Sequence, residues 1–225
     1  MTGWIVSGLL LATFGLLVVG GAAIGSVPAG TVEGVVNDDR GRPVDEAVVS
    51  LASLGAPAPV QRVTQAVMDQ YNKEFLPHVL PVYVGTPVSF PNRDNIRHHV
   101  YSFSSVKKFE LPLYMGTPSA PVVFDKPGIV AMGCNIHDWM VGYIYVLSTP
   151  HFVKTGAEGT GRLGDVPPGA YEARVWHPRM RSAPEKTAKT ITVAAGEPER
   201  VAFVVSLRPD WRTPRVPGRN EGTGY

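Results

Sequence analysis

One short stretch of the chain, "GCNIHDWM" at residues 133–140, carries three side chains that could bind a transition metal. Cys134 is the only cysteine in 225 residues, His137 follows it at C-x2-H spacing, and Met140 follows at H-x2-M spacing. A thiolate and an imidazole at this spacing can reach one ion from a tight turn, and the thioether can approach it from the side. Two histidines and one cysteine in a plane, with a long axial methionine, form the electron-transfer arrangement of copper. Zinc collects more thiolates or histidines and has no use for methionine.

The second imidazole of such a site must come from another strand. The segment "NRDNIRHHVYSF" offers His98 and His99, which point to opposite faces of a regular strand, so only one of them can bind the ion. Met132 lies two residues before Cys134 on the same strand face and is a competing thioether, although the loop spacing favours Met140. The residues alone leave the choice between the two histidines open.

Four further side chains bear on the site. Ile136 and Trp139 lie on the ligand loop and either cap the sandwich or form an apolar rim around the edge of His137. His78 and His177 each stand beside a proline and are predicted to be surface or loop residues rather than ligands.

The elements that position these residues are predicted to be short β-strands. Glycine (24 residues) and proline (21 residues) are spread between runs rich in Val, Tyr, Phe and Ile, a distribution typical of sandwiches and barrels. Runs such as "VLPVYVG", "HHVYSFS", "GIVAMGC" and "GYIYVLS" are separated by turn signals at the spacing of a sandwich. The formal net charge is +2 and the basic residues are scattered, so the sequence excludes a nucleic-acid-binding stripe.

The amino-terminal segment carries no charged side chain before Glu33. Its apolar run has about the twenty residues of a spanning helix, and small residues at 20–26 suit a cleavage site. Residues 1–26 are therefore predicted to be a signal peptide or an N-terminal membrane anchor, and this is the only predicted membrane contact. In the oxidising compartment that export implies, a lone cysteine is buried, paired to another chain or bound to a metal.

Two parts of the chain resemble the carboxypeptidase regulatory-like, or transthyretin-like, sandwich. They are "VEGVVNDDRGRPVDEAVVSLAS" and, about a hundred residues later, "DVPPGAYEARVWHP" with "ITVAAGEPERVAFVVSL". The resemblance implies one β-sandwich formed by residues 31–56 and 149–207 and interrupted at a surface loop by a second domain. Residues 208–225 are rich in Pro, Gly and Arg and are predicted to be a flexible tail.

The interrupting region, residues 57–148, resembles the cupredoxins, the blue copper proteins. The matching stretches are "FLPHVLPVYVGTPVSFPN", "RHHV", "FDKPGIVAMGC" and "CNIHDWMVGYIYV", and the C-x2-H-x2-M spacing is similar to that of the amicyanin branch. Aligning "HHV" on the family's H-N-V makes His98 the ligand and puts His99 where an asparagine normally bonds toward the cysteine loop. The resemblance implies an all-β fold, a Greek-key cupredoxin sandwich inserted into the transthyretin-like one. It also implies one type 1 copper per chain, held by His98, Cys134, His137 and Met140.

The sequence contains no serine nucleophile elbow, no HExxH motif and no phosphate loop. It therefore predicts a non-enzyme, with copper catalysis left open. The cupredoxin resemblance implies an exported, periplasmic electron carrier whose partner is a c-type cytochrome or a periplasmic dehydrogenase docking near His137. The alternatives are a copper carrier or sensor without redox cycling, and a metal-free module that binds carbohydrate or peptide.

Overall fold

The computed structural model describes residues 1, 3, 28–55, 63–118, 120–196 and 198–210. Most of the predicted leader (1–26) and most of the predicted tail (208–225) lie outside these ranges, and those two predictions stay open. No helix within the described ranges is long and apolar enough to cross a membrane.

The described residues form β-strands joined by turns and one short 3-10 turn at Pro184–Thr187. This confirms the predicted all-β fold. The strands are β1 (Gly30–Asp38), β2 (Val48–Ser53), β3 (Ala66–Val67), β4 (Asp69–Tyr71), β5 (Glu74–Leu76), β6 (Val79–Tyr83), β7 (Thr86–Ser89), β8 (His98–Ser102), β9 (Phe109–Tyr114), β10 (Val122–Phe124), β11 (Gly128–Cys134), β12 (Val141–Leu147), β13 (Phe152–Lys154), β14 (Thr160–Val166), β15 (Gly169–Trp176), β16 (Lys189–Val193) and β17 (Pro198–Val205).

Strands β3–β12 form what we call the central sandwich. Its larger sheet has the order β6-β12-β11-β8-β9, and its smaller sheet has the order β10-β7-β3. Buried apolar side chains from both sheets form one core, in which Phe90 and Phe124 are among the largest fully buried residues. The small β4–β5 hairpin packs beside this core through the buried side chains of Met68 and Phe75.

Strands β1, β2 and β13–β17 form what we call the flanking sandwich. Its sheets have the orders β14-β1-β17 and β13-β2-β15-β16, and they enclose a separate core that includes Leu51, Tyr171 and Phe203. Along β1, Thr31–Asp38 pair in parallel with Pro198–Val205 of β17. The chain thus forms the first two strands of the flanking sandwich, then the central sandwich, and then the remaining strands of the flanking sandwich.

The two sandwiches contact each other through an aromatic junction. Trp176, on β15, packs with its ring centroid 5.9 Å from that of Tyr143 and 5.0 Å from that of Tyr145, both on β12. Val48 and Val79 are buried in the same cluster. The outer face of β12, the strand that begins just after the predicted ligand loop, is therefore covered by the flanking sandwich.

Gly142, near the start of β12, allows this strand to pack closely against Phe75 of β5. A Cβ atom on Gly142 would lie 2.9 Å from Cβ of Phe75 and 3.1 Å from two of its ring carbons. We expect Gly142→Ala to lower the free energy of unfolding by about 1–3 kcal/mol, because the core there has no room for a methyl group. Chemical denaturation measures this. Gly164→Ala is the control because no atom lies within 4 Å of its Cβ position, and equal losses in the two variants would contradict the packing argument.

Candidate metal centre

Strand alternation places one of the two neighbouring histidines inside the central sandwich. Along β8 the side chains of His98, Val100 and Ser102 are buried, and those of His99 and Tyr101 face outward. Cys134 ends the adjacent strand β11 and pairs with Val100. Because residues two apart share a face of a strand, His98 and Cys134 enter the same part of the core.

Three donor atoms meet at this end of the central sandwich. Sγ of Cys134 lies 3.6 Å from Nδ1 of His98 and 3.8 Å from Nδ1 of His137. All three donors lie within 4.8 Å of one another, and their residues are 0%, 3% and 8% exposed for His98, Cys134 and His137. Met140 is buried in the same core cluster as Cys134. Within the described ranges this is the one group of His, Cys, Asp or Glu side chains whose donor atoms lie close enough to hold a metal ion. The assignment of these residues as ligands stays a prediction.

The spacing of the donors fits a small transition-metal ion. With a metal–sulfur distance of about 2.3 Å and metal–nitrogen distances of about 2.0–2.1 Å, one ion could contact the sulfur and both imidazole nitrogens at separations of 3.6 Å and 3.8 Å. One thiolate and two imidazoles, with a methionine in the same core, are the donor set that suits copper.

Backbone hydrogen bonds close the ligand loop. The amide of Met140 donates to the carbonyl of His137 at 3.0 Å, and the amide of Cys134 donates to the carbonyl of Met140 at 3.2 Å. The amide of Asn135 donates to the carbonyl of His99 at 3.0 Å, which ties the loop to β8. These bonds fix the backbone of the loop.

The side chain of His99 does not make the contact that the cupredoxin pattern predicts for its position, which is a bond toward the cysteine loop. Its ring does not turn toward the cysteine loop, since its Nε2 lies 2.8 Å from Oε1 of Glu110, an exposed carboxylate on β9. The link to the loop is made instead by its backbone carbonyl. The residue at position 99 therefore contacts the loop through its main chain and Glu110 through its side chain.

The largely buried carboxylate of Asp94, 10% exposed, bonds to the ring of His98 on the side away from Cys134. Nε2 of His98 lies 2.8 Å from Oδ2 of Asp94, and this carboxylate also accepts the amides of Asn72 at 2.7 Å and Lys73 at 2.9 Å. A carboxylate accepts hydrogen bonds only, so it places the proton on Nε2 and leaves the lone pair of Nδ1 facing Cys134. The sequence analysis missed Asp94. The only signal was an acidic residue four positions before the histidine, within the turn-forming run "PNRDN".

The chain has no matching family model, and no curated protein matches it. It is similar to solved structures of copper proteins. A purple cupredoxin from Nitrosopumilus maritimus is 25% identical, with a TM-score of 0.33, over 37% of this chain and 98% of that one. An oxidised amicyanin variant is 25% identical, with a TM-score of 0.34, over 46% of this chain and 100% of that one. A copper-containing nitrite reductase from Thermus scotoductus is 25% identical, with a TM-score of 0.36, over 52% of this chain and 28% of that one.

Proton affinities within the cluster favour the metal-binding form of the thiol. Burial alone would raise the pKa of Cys134, but hydrogen bonds with His98 and with backbone groups, His99 first, bring that pKa below its ordinary value. Burial likewise would lower the pKa of His98, and its bonds with Cys134 and Asp94 raise it instead. The thiolate is the form of cysteine that binds metals, whereas a proton shared between Cys134 and Nδ1 of His98 must leave before both atoms can bind an ion.

The ligand loop presents apolar side chains to solvent. Ile136 and Trp139 are 50% and 45% exposed, and the Trp139 ring centroid lies 5.2 Å from that of His137. They form a rim beside His137 rather than a closed cap.

The two histidines beside prolines are held within the fold. His78 donates from Nδ1 to the carbonyl of Val141 at 3.0 Å, since a carbonyl can only accept. His177 lies in the loop after β15 and is 4% exposed, so of the two predicted positions it takes the loop and not the surface; its Nδ1 accepts the amide of Arg179 at 3.1 Å. Neither belongs to the metal-binding cluster.

Proposed function

We propose that this protein binds one copper ion in a type 1 site and carries single electrons. The observation that supports the proposal is the convergence of Nδ1 of His98, Sγ of Cys134 and Nδ1 of His137 within 4.8 Å in a buried part of the core. Bound copper would supply one-electron chemistry, alternating between Cu(I) and Cu(II). Met140, which is buried in the same core cluster as Cys134, is the proposed axial ligand.

The residues around the donors have one task in this proposal, which is to keep the donor positions fixed. Asp94 holds the ring of His98, and the backbone bonds between Cys134, His137 and Met140 hold the loop. A site whose ligands do not move between redox states needs little reorganisation when an electron enters or leaves. Outer-sphere bonds of this kind are a known means of orienting metal ligands.

Optical titration tests the proposal. Metal-free protein that receives Cu(II) should develop an intense thiolate-to-copper band in the red, which bleaches with ascorbate and returns on reoxidation. Stoichiometric copper without that band would contradict electron transfer and favour a carrier or sensor. Copper content that is equally low in the wild type and in Cys134→Ala would favour a metal-free binding module.

The assignment of Met140 over Met132 has its own test. We expect Met140→Leu to keep the thiolate band and to raise the reduction potential, because loss of an electron-donating thioether destabilises Cu(II) more than Cu(I). Cyclic voltammetry measures the potential. Met132→Leu is the control, since Met132 is also buried, at 2% exposed, in the same core. If only Met132→Leu shifted the potential, the axial assignment would be reversed.

We also propose export to the periplasm and a c-type cytochrome or periplasmic dehydrogenase as the redox partner. The exposed rim of Ile136 and Trp139 beside His137 suits a transient contact with such a partner. Cell fractionation tests the location. Stopped-flow oxidation by a candidate cytochrome tests the partner, and an unchanged rate in Trp139→Asp would exclude contact at this rim.

A further inference from the structure

The flanking sandwich carries a cleft that shares no residue with the metal cluster. Its walls are the β1–β2 turn (residues 38–46), the segment after β15 (177–181) and the segment after β17 (206–210). The cleft encloses about 1030 Å³. Small-molecule sites commonly have volumes of about 300–1000 Å³, so the cleft can hold a small solute.

Hydrogen bonds fix the three walls to one another. The amide of Arg181 donates to the carbonyl of Ser206 at 3.0 Å, and the amide of Arg208 donates to the carbonyl of Arg179 at 2.8 Å. The hydroxyl of Ser206 donates to Oδ2 of Asp39 at 3.2 Å, which connects the β1–β2 turn to the same wall. The cleft is therefore formed in advance of any ligand.

The cations of the cleft are all arginines, and the guanidinium groups of two of them have no partner among the described residues. Nη2 of Arg42 lies 2.7 Å from Oδ2 of Asp38, so that pair is satisfied. The guanidinium groups of Arg40 and Arg181 make neither an ion pair nor a hydrogen bond with any described residue. Arg40 follows Asp39, whose carboxylate accepts the Ser206 hydroxyl, and the backbone amide of Arg181 donates to the Ser206 carbonyl. The arginines that line the cleft are Arg40, Arg42, Arg179, Arg181 and Arg208.

The acidic side chains of the cleft are mostly engaged. Asp38 accepts two backbone amides and the side chain of Arg42, and these bonds lower the pKa of Asp38. Glu46 lies 3.4 Å from Nζ of Lys154. Asp39 and Asp45, in contrast, have no cationic partner among the described residues: Asp39 accepts the Ser206 hydroxyl and Asp45 accepts the amide of Glu46. Three arginines pair with no described carboxylate, so they exceed these two carboxylates by one charge; they are Arg40, Arg181 and Arg208.

One buried donor in the cleft lacks an acceptor. Nη1 of Arg179 donates to the carbonyl of Arg208 at 3.3 Å, but its Nε is buried and has no hydrogen-bond partner among the described residues. Oδ2 of Asp210 lies 3.9 Å from this Nε, close enough for an ion pair but beyond hydrogen-bond distance. A ligand oxygen could supply the hydrogen-bond acceptor that this Nε lacks among the described residues.

We propose that this cleft binds a small oxyanion, the phosphate or carboxylate group of a soluble metabolite or ion. Arg40, Arg179 and Arg181 supply the guanidinium groups, whose planar forks match the oxygen pairs of these anions. Asp39 opposes the anion and limits its affinity. This site is independent of copper, and its failure would leave the proposed electron transfer untouched.

Calorimetric titration of the full-length chain at constant ionic strength tests the site, with inorganic phosphate and succinate as separate probes. We expect saturable binding of one probe per chain. Arg181→Gln should weaken it by about tenfold, the value of one charge-assisted bond, and Asp39→Asn should tighten it. Arg200→Gln is the control because Arg200 lies outside the cleft, 3.4 Å from Glu33. Binding of phosphate alone or succinate alone supports the site and identifies the anion.

A local measurement accompanies the titration. The Nε–H resonance of Arg179 should shift on saturation in the wild type, because that donor gains an acceptor. Arg40→Gln serves as a second variant if Arg181→Gln alters the circular dichroism spectrum. Absence of saturable binding of both probes, or wild-type affinity in folded Arg181→Gln and Arg40→Gln proteins, would overturn the proposal.

Discussion

Copper-loaded protein in which serine replaces Cys134 is expected to lose its red absorption band completely. The band requires charge transfer from a thiolate to Cu(II), and Cys134 is the only cysteine in the chain. A serine hydroxyl keeps the shape of the side chain but remains protonated and supplies no sulfur. The visible spectrum after stoichiometric addition of Cu(II) measures the effect.

Thermal unfolding provides a second readout for the same variant. Copper should raise the melting temperature of the wild type because an ion that binds the folded state stabilises it by mass action. The rise should be much smaller in Cys134→Ser. Ser102→Ala is the control, since it removes another small polar group that is 2% exposed on β8 and should keep both band and stabilisation. Retention of the band in Cys134→Ser would refute the site.

Replacement of Asp94 is expected to have the next largest effect. Asp94→Ala removes the acceptor for Nε2 of His98 and for the amides of Asn72 and Lys73. Loss of such an outer-sphere partner weakens metal binding by about 10–100-fold in comparable sites. Competition with a chelator of known affinity measures the copper dissociation constant. Asp94→Asn keeps one acceptor oxygen and should lie between the wild type and the alanine variant.

The exposed pair on the same strand is the matched control. Nε2 of His99 and Oε1 of Glu110 are also 2.8 Å apart, but the carboxylate side chain is 66% exposed. Exposed ion pairs contribute about 0–1 kcal/mol, so Glu110→Ala should leave copper affinity and stability nearly unchanged. Equal losses in Asp94→Ala and Glu110→Ala would show that charge near β8, rather than the orientation of the His98 ring, controls affinity.

The features that the sequence predicted well depend on local rules. Strand alternation alone required that His98 and His99 face opposite sides, and the turn-rich spacing of apolar runs indicated all-β structure. The loop spacing placed Cys134 and His137 within reach of one ion. Each of these inferences needs only the covalent geometry of a few neighbouring residues.

The features that the sequence did not predict depend on contacts between distant segments. Asp94 lies in a turn, and its role becomes visible only when the β4–β5 hairpin brings two amides to it. His177 was predicted to be a surface or loop residue; it lies in a loop, and no local signal in the sequence indicated that this loop is buried. The cleft of the flanking sandwich is lined by residues 38–46, 177–181 and 206–210. These segments are separated in the sequence, so no local pattern could predict the cleft.

The order of strands in the flanking sandwich bears on how the chain is made. Within the described residues, β1 pairs along its length only with β14 and β17, and β2 only with β13 and β15. All four partners follow the central sandwich in the sequence. During synthesis the edges of β1 and β2 therefore stay unpaired until more than half of the chain has left the ribosome. Unpaired strand edges promote aggregation, so this protein should depend on chaperones that shield its first strands.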